Sequence, residues 1–172
     1  MRRTMLALVL LSLPVGVLAG THRAGAGGGG GRAGGSTLWG AMISGELVIK
    51  HYGHSFPAAL TLSAVADLAW MGGERKGNDS FDQKTFVVGG RLTYNSLKWI
   101  QPFGHGMVGG YWAEGHDSGA TVLGGGFDFP LGKVTSEGHP HWVIRIQGDR
   151  YWADAQDRSY PQFTGQLVYR FE

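Results

Sequence analysis

The sequence contains no cysteine. That excludes a disulfide scaffold, a thiolate zinc site, a cysteine nucleophile and a lipid-modified N-terminal cysteine. Charge is also scarce. Asp, Glu, Lys and Arg make up 16% of the 172 residues, against roughly 25% in an ordinary soluble domain. The net charge is +2 and no Lys/Arg-rich run occurs, so the electrostatic footprint of a nucleic-acid-binding protein is missing. No apolar run approaches the ~20 residues of a membrane-spanning helix. What the chain does have is glycine, at 31 residues, and aromatics, at 12%. It is too aromatic for a disordered chain and long enough for one domain, not two full-sized ones. Low charge with abundant glycine and aromatics points to an all-β protein with an unusual surface.

The N-terminus has an export pattern. Arg2 and Arg3 form a basic start, Met5–Leu13 is apolar, and Val17 and Ala19 are small enough to precede a cleavage site near Ala19–Gly20. Residues 1–19 therefore read as a signal peptide. Residues 20–36 are glycine-rich, with Gly27–Gly31 unbroken, and read alone they form a flexible linker.

From residue 37 onward, apolar and polar residues alternate with period two between turn residues, the signature of strands. In 162–171 one face carries Phe163, Gly165, Leu167, Tyr169 and Phe171, and the other Gln162, Thr164, Gln166, Val168 and Arg170. These sets point in opposite directions on a strand. The same split sets Leu62, Leu68 and Trp70 against Thr61, Ser63 and Asp67, and Ile144 and Ile146 against Arg145, Gln147 and Asp149.

Alternation does not say which face is inside. A soluble sandwich buries the apolar face, whereas a membrane barrel turns it to lipid. Three observations favour the barrel. The segments run about 10 to 14 residues, long for a soluble strand and right for a tilted membrane crossing. Aromatics such as Trp39, Trp70, Trp112, Trp142, Trp152, Tyr169 and Phe171 gather near segment ends, as in interfacial girdles. The export pattern also suits an outer membrane. The polar face adds a fourth point. Glu46, Asp67, Asp128 and Asp149 balance Lys50, Arg91, Arg145 and Arg170. The lumen of an eight-stranded barrel is filled by side chains, and charges placed there must pair. His105 lies on the same face and is expected to hydrogen-bond within this network.

The ending Leu167-Val168-Tyr169-Arg170-Phe171 resembles the terminal signal of bacterial outer-membrane β-barrels. With Gly124–Asp128 and Arg145–Asp149, the chain from about residue 36 is similar to small OmpA/OmpX-like barrel domains. The resemblance implies eight antiparallel strands in an up-and-down transmembrane barrel, and both termini in the periplasm. It also implies insertion by the barrel assembly machinery, with Tyr169 and Phe171 as the assembly signal. Glu172 departs from the pattern, since such proteins typically finish on the aromatic itself. The expected setting is the outer membrane, as a monomer among membrane lipid and lipopolysaccharide, with no cofactor and no metal.

Seven strands are plain, at 37–50, 58–71, 84–95, 99–113, 119–129, 141–153 and 162–171. Closure with both ends on one side needs an even number. The missing strand is either a weak one within 20–36, the preferred reading despite its glycine, or absent. Connections at 72–83, 114–118 and 154–161 then face outward. The first is the longest and most charged, with Glu74, Arg75, Lys76, Asn78, Asp79 and Asp82, and is the best candidate for a surface or lipopolysaccharide contact.

Other chemistry finds little support. Gly27–Gly31 lacks a following Lys-Ser/Thr pair. His51/His54 and His139/His141 each offer two metal ligands without an obvious third. His116-Asp117-Ser118 has the spacing of the base and nucleophile of barrel lipid A deacylases, but it falls in an expected loop and its flanks do not match that motif. The carboxylates Asp154 and Asp157 are expected loop residues. The expectation is a non-enzymatic barrel with a structural or surface-contact role. The alternatives are a lipid A-modifying enzyme, a narrow channel, and a soluble lipocalin-like carrier.

Overall fold

The computed structural model describes residues 22–33, 36–53, 59–74, 80–97, 99–113, 116–132, 141–153 and 158–171. The expected signal peptide, Glu172 and parts of the connections lie outside them. Eight strands follow one another: β1 His22–Ala33, β2 Ser36–Tyr52, β3 Leu60–Glu74, β4 Ser80–Tyr94, β5 Gln101–Ala113, β6 His116–Leu131, β7 Trp142–Ala153 and β8 Arg158–Phe171. Each pairs antiparallel with its neighbours, and β1 pairs with β8 to close the barrel.

The glycine-rich segment is thus β1. It is held on both edges, against β2 and against β8, so the closed sheet supplies the order that glycine withholds. Glycine is also what the seam requires. A Cβ on Gly27 would strike the backbone of Gly165, and one on Gly29 the backbone of Phe163. β8 approaches β1 there too closely for a side chain on the β1 residues.

Stepping through the pairs Arg23, Glu46, Val65, Gly89, Met107, Val122, Tyr151 and Tyr160 circles the barrel once. Arg23 itself pairs with Arg170 on the other side. The offset along β8, from 160 to 170, is ten residues. A stagger of that size tilts the strands by roughly 40°. Gly53 and Gly132, at φ 75° and 85°, follow β2 and β6 at the end of the barrel that also holds the termini. That backbone region favours glycine.

Several connections are shorter than the alternation suggested. β3 and β4 extend through Glu74 and from Ser80, β6 begins at His116, and β8 begins at Arg158. The expected outward connections at 72–83, 114–118 and 154–161 are therefore largely the paired ends of strands. Hydrogen bonding along the ladder continues past the point where the hydrophobic pattern fades.

Inside and outside are the reverse of a soluble protein. Phe163 is 66% exposed and Trp39 69%, whereas Arg91 and Asp128 are fully buried. The outer wall is a belt of Leu, Ile, Val and aromatic side chains, far beyond the apolar patches an aqueous surface carries. Trp142 and Trp152 mark its two rims on β7, ten residues apart. At ~3.3 Å per residue and ~40° of tilt they stand about 25 Å apart, the height of a barrel's apolar band.

Candidate functional site

The lumen has two layers. Toward the end that holds the termini, it is ionic. Glu46 on β2 sits at the centre, with Oε1 3.1 Å from Nη1 of Arg23 on β1. Its Oε2 accepts from Nη1 of Arg91 on β4 at 2.8 Å and from Nη2 of Arg145 on β7 at 3.1 Å. Arg145 also donates to Asp128 on β6 through both Nε, at 2.7 Å, and Nη2, at 2.8 Å. This fork is the strongest geometry available to the pair. Arg23 and Arg170 flank Asp128 at 4.0 and 3.9 Å, and Arg170 donates to Gln101 on β5 at 2.7 Å. The Phe103 ring lies against two guanidinium groups, 4.6 Å from Arg91 and 5.0 Å from Arg145. A second cluster joins His105 to Asp149 at 2.8 Å, while Gln147 donates to the other Asp149 oxygen at 2.7 Å. Gly124 stands beside this pair, where a Cβ would meet Asp149 and His105.

Toward the opposite end the lumen turns apolar and phenolic. Leu38, Met71, Val87, Met107 and Val122 pack with Tyr111, Tyr151 and Tyr160. Tyr151 and Tyr160 stack at 5.2 Å, and Gln83 donates to the Tyr160 hydroxyl. An eight-stranded barrel leaves an interior that side chains of this size fill.

Eight of the nine residues expected in the lumen network are buried there: Glu46, Asp67, Arg91, His105, Asp128, Arg145, Asp149 and Arg170. Lys50 is not, and the alternation misplaced it. A bulge between Val48 and Lys50 inserts Ile49 into β2 and shifts the register. One extra residue flips every later side chain, so Lys50 faces out, 5.0 Å over the ring of Tyr52. Its place in the balance is taken by Arg23, which the glycine-rich surroundings concealed. Read with period two, Arg23 is the charged member of a face otherwise built from Gly25, Gly27 and Gly29. Among the described residues, the interior holds Arg23, Arg91, Arg145 and Arg170 against Glu46, Asp67, Asp128 and Asp149, four of each sign, with His105 beside Asp149. Asp67 is the exception to close pairing. Neither of its oxygens has a hydrogen-bond partner among the described residues.

The surface candidates disperse. Glu74 ends β3 and exposed Asp82 lies on β4, while Arg75, Lys76, Asn78 and Asp79 lie outside the described residues. His116-Asp117-Ser118 is in β6 and not in a loop. Asp117 is exposed and the Ser118 hydroxyl is buried. Asp154, Asp157, His54 and His139 lie outside the described residues. His51 contacts the Thr61 hydroxyl at 2.8 Å. His141 stacks on Tyr169 at 5.6 Å, and Tyr169 meets Phe171 edge-on at 4.8 Å.

A closed, shear-ten barrel with a greasy wall and an ionic interior defines the class: an eight-stranded transmembrane β-barrel. No protein-family model matches the chain, and no curated protein matches it in sequence. Solved structures do match. Neisserial surface protein A superposes with a TM-score of 0.65 at 9% identity, over 88% of this chain and 96% of that one. Ail, the attachment invasion locus protein of Yersinia pestis, gives 0.57 at 15%, over 88% and 99%. OprG of Pseudomonas aeruginosa gives 0.52 at 10%, over 90% and 97%. The chain has the fold of the small outer-membrane β-barrels, as its C-terminal motif implied.

Proposed function

We propose that the mature protein is a non-enzymatic outer-membrane barrel that supports the membrane or makes surface contacts at the end opposite its termini. The observation that carries this reading is the inverted wall. Its aromatics and branched aliphatics look outward while four acids and four arginines are buried within. Such a wall is stable only in lipid, and such an interior leaves no open path for bulk solute. Residues 1–19 deliver the chain to the barrel assembly machinery, which reads the Tyr169 and Phe171 end. The hairpin between β3 and β4 is the contact surface, toward a partner or lipopolysaccharide.

The deciding experiment is fractionation of the cell envelope followed by gel mobility with and without heating. The reading expects an outer-membrane protein whose folded and unfolded forms migrate differently. Recovery of a soluble, monomeric protein would sink it and favour a carrier.

The enzyme alternative is disfavoured by position. Ser118 lies on the strand face shared with buried Ala120 and Val122, and its hydroxyl is buried, away from an acyl chain on the outer wall. Ser118→Ala is expected to leave the lipid A of the host unchanged. The channel alternative predicts discrete conductance in planar bilayers, and the filled lumen predicts none.

A further inference from the structure

At the end opposite the termini, β7, β8 and β1 run side by side on the outer wall. Arg150 of β7 faces outward and pairs with Pro161 of β8. On the other edge of β8, Gly31 pairs with Gln162. The next residue, outward-facing Arg32, therefore lies beside the same Pro161. Two arginines flank one proline, two strand spacings apart, or roughly 10 Å.

Arg150 originates two residues below Trp152, within the apolar belt. Its guanidinium climbs out of it. Nε and Nη2 contact the Ser159 hydroxyl at 2.9 and 2.7 Å, and Cζ stands 5.9 Å from the Trp152 ring. Ser159 pairs with Trp152 across the β7–β8 ladder, so the charge is held at the level of the rim. This is the snorkelling expected of a cation rooted in lipid, here fixed by a hydrogen-bonded partner. Among the described residues, the outward faces of β1, β7 and β8 carry no acid.

We propose that Arg32, Arg150 and the Ser159 hydroxyl bind a phosphomonoester of an acylated lipid in the surrounding leaflet, the lipid A phosphate of lipopolysaccharide. This rests on the outer-membrane reading above. A phosphomonoester carries about −1.5 to −2 charges at neutral pH and three acceptor oxygens. Two planar guanidinium groups and a hydroxyl match that demand better than they match a singly charged phosphodiester. Lys84 provides the internal control. It also faces outward near the same rim, but on β4, between Trp70 and Trp112 on the far wall.

The test is native mass spectrometry of the full mature chain released from nanodiscs containing lipid A, enzymatically dephosphorylated lipid A, or phosphatidylglycerol. Wild type is expected to retain lipid A over both others. Arg32→Gln or Arg150→Gln is expected to reduce that preference about fivefold each, the usual worth of one base at an anionic surface. Ser159→Ala is expected to weaken it as well, and it keeps the test open should an arginine variant fail to fold. Lys84→Gln is expected to leave it intact. Equal retention of phosphorylated and dephosphorylated lipid A overturns the site. So does equal retention of phosphatidylglycerol, an unchanged preference in all three site variants, or an equal loss in Lys84→Gln. Heat-dependent gel mobility of the same samples reads the barrel itself. A folded barrel without lipid A preference refutes only the site, whereas a soluble wild type refutes both readings.

Discussion

Glu46 accepts hydrogen bonds from Arg91 and Arg145 and forms an ion pair with Arg23, three arginines on three strands, and this makes it the most consequential single side chain in the lumen. Replacing it with Gln leaves Arg23, Arg91 and Arg145 buried with one carboxylate fewer between them. Breaking a buried ion pair by removing one partner costs about 3–5 kcal/mol. Glu46→Gln is therefore expected to lower the unfolding free energy of the vesicle-inserted protein by that order, read as a lower urea midpoint by tryptophan fluorescence. Asp67→Asn is the contrast. Asp67 is as buried as Glu46, but its oxygens have no hydrogen-bond partner among the described residues. Its replacement removes a desolvated charge without breaking a hydrogen bond, and a far smaller change in the same midpoint is expected. Lys50, on the outer face, is expected to tolerate Met with an unchanged midpoint. A large loss in Lys50→Met would return it to the network and contradict the bulge.

At the scale of the strand, β1 is the element whose existence depends most on its neighbours. Isolated, its glycines favour a coil. In the barrel, Gly27 and Gly29 permit an approach of β8 that a side chain at either position would block. Gly27→Val or Gly29→Val is expected to block seam closure, so that little protein reaches the heat-modifiable form in a refolding assay. Gly165→Ala, on the outer face with nothing within 4 Å of a new Cβ, is expected to refold like wild type. If the valine variants refold equally well, glycine at the seam is a matter of composition and not of geometry. The bulge at Ile49 belongs to the same scale. One inserted residue decides whether Lys50 meets the ionic core or the membrane rim.

For the whole molecule, the 25 Å between aromatic rims and the balanced interior act together. The first fixes how the barrel sits in lipid, and the second lets it close around charges without a net field. The β3–β4 hairpin is best tested by removing only residues 75–79, because Glu74 and residues 80–82 belong to the paired strand ends. The shortened barrel is expected to insert normally and to lose cell-surface binding. Undiminished binding would dismiss the hairpin as the contact surface.

Much of this architecture was legible along the chain. Period-two alternation is a local property, and it correctly separated Phe163 from Gln162 and Ile146 from Arg145. The C-terminal ending and the long segments set the wall toward lipid. Other features depended on residues far apart in sequence. Arg23 meets Glu46 from a seam strand that its own composition disfavours. Arg145 finds Asp128 and Glu46 only through the register and the ten-residue shear. The sequence by itself determined two-faced strands and the sign of charge on each face, because side-chain direction follows backbone geometry residue by residue. Closure, the bulge and the choice of ionic partner were decided by the tertiary structure alone, because they depend on how eight strands stagger around a common axis.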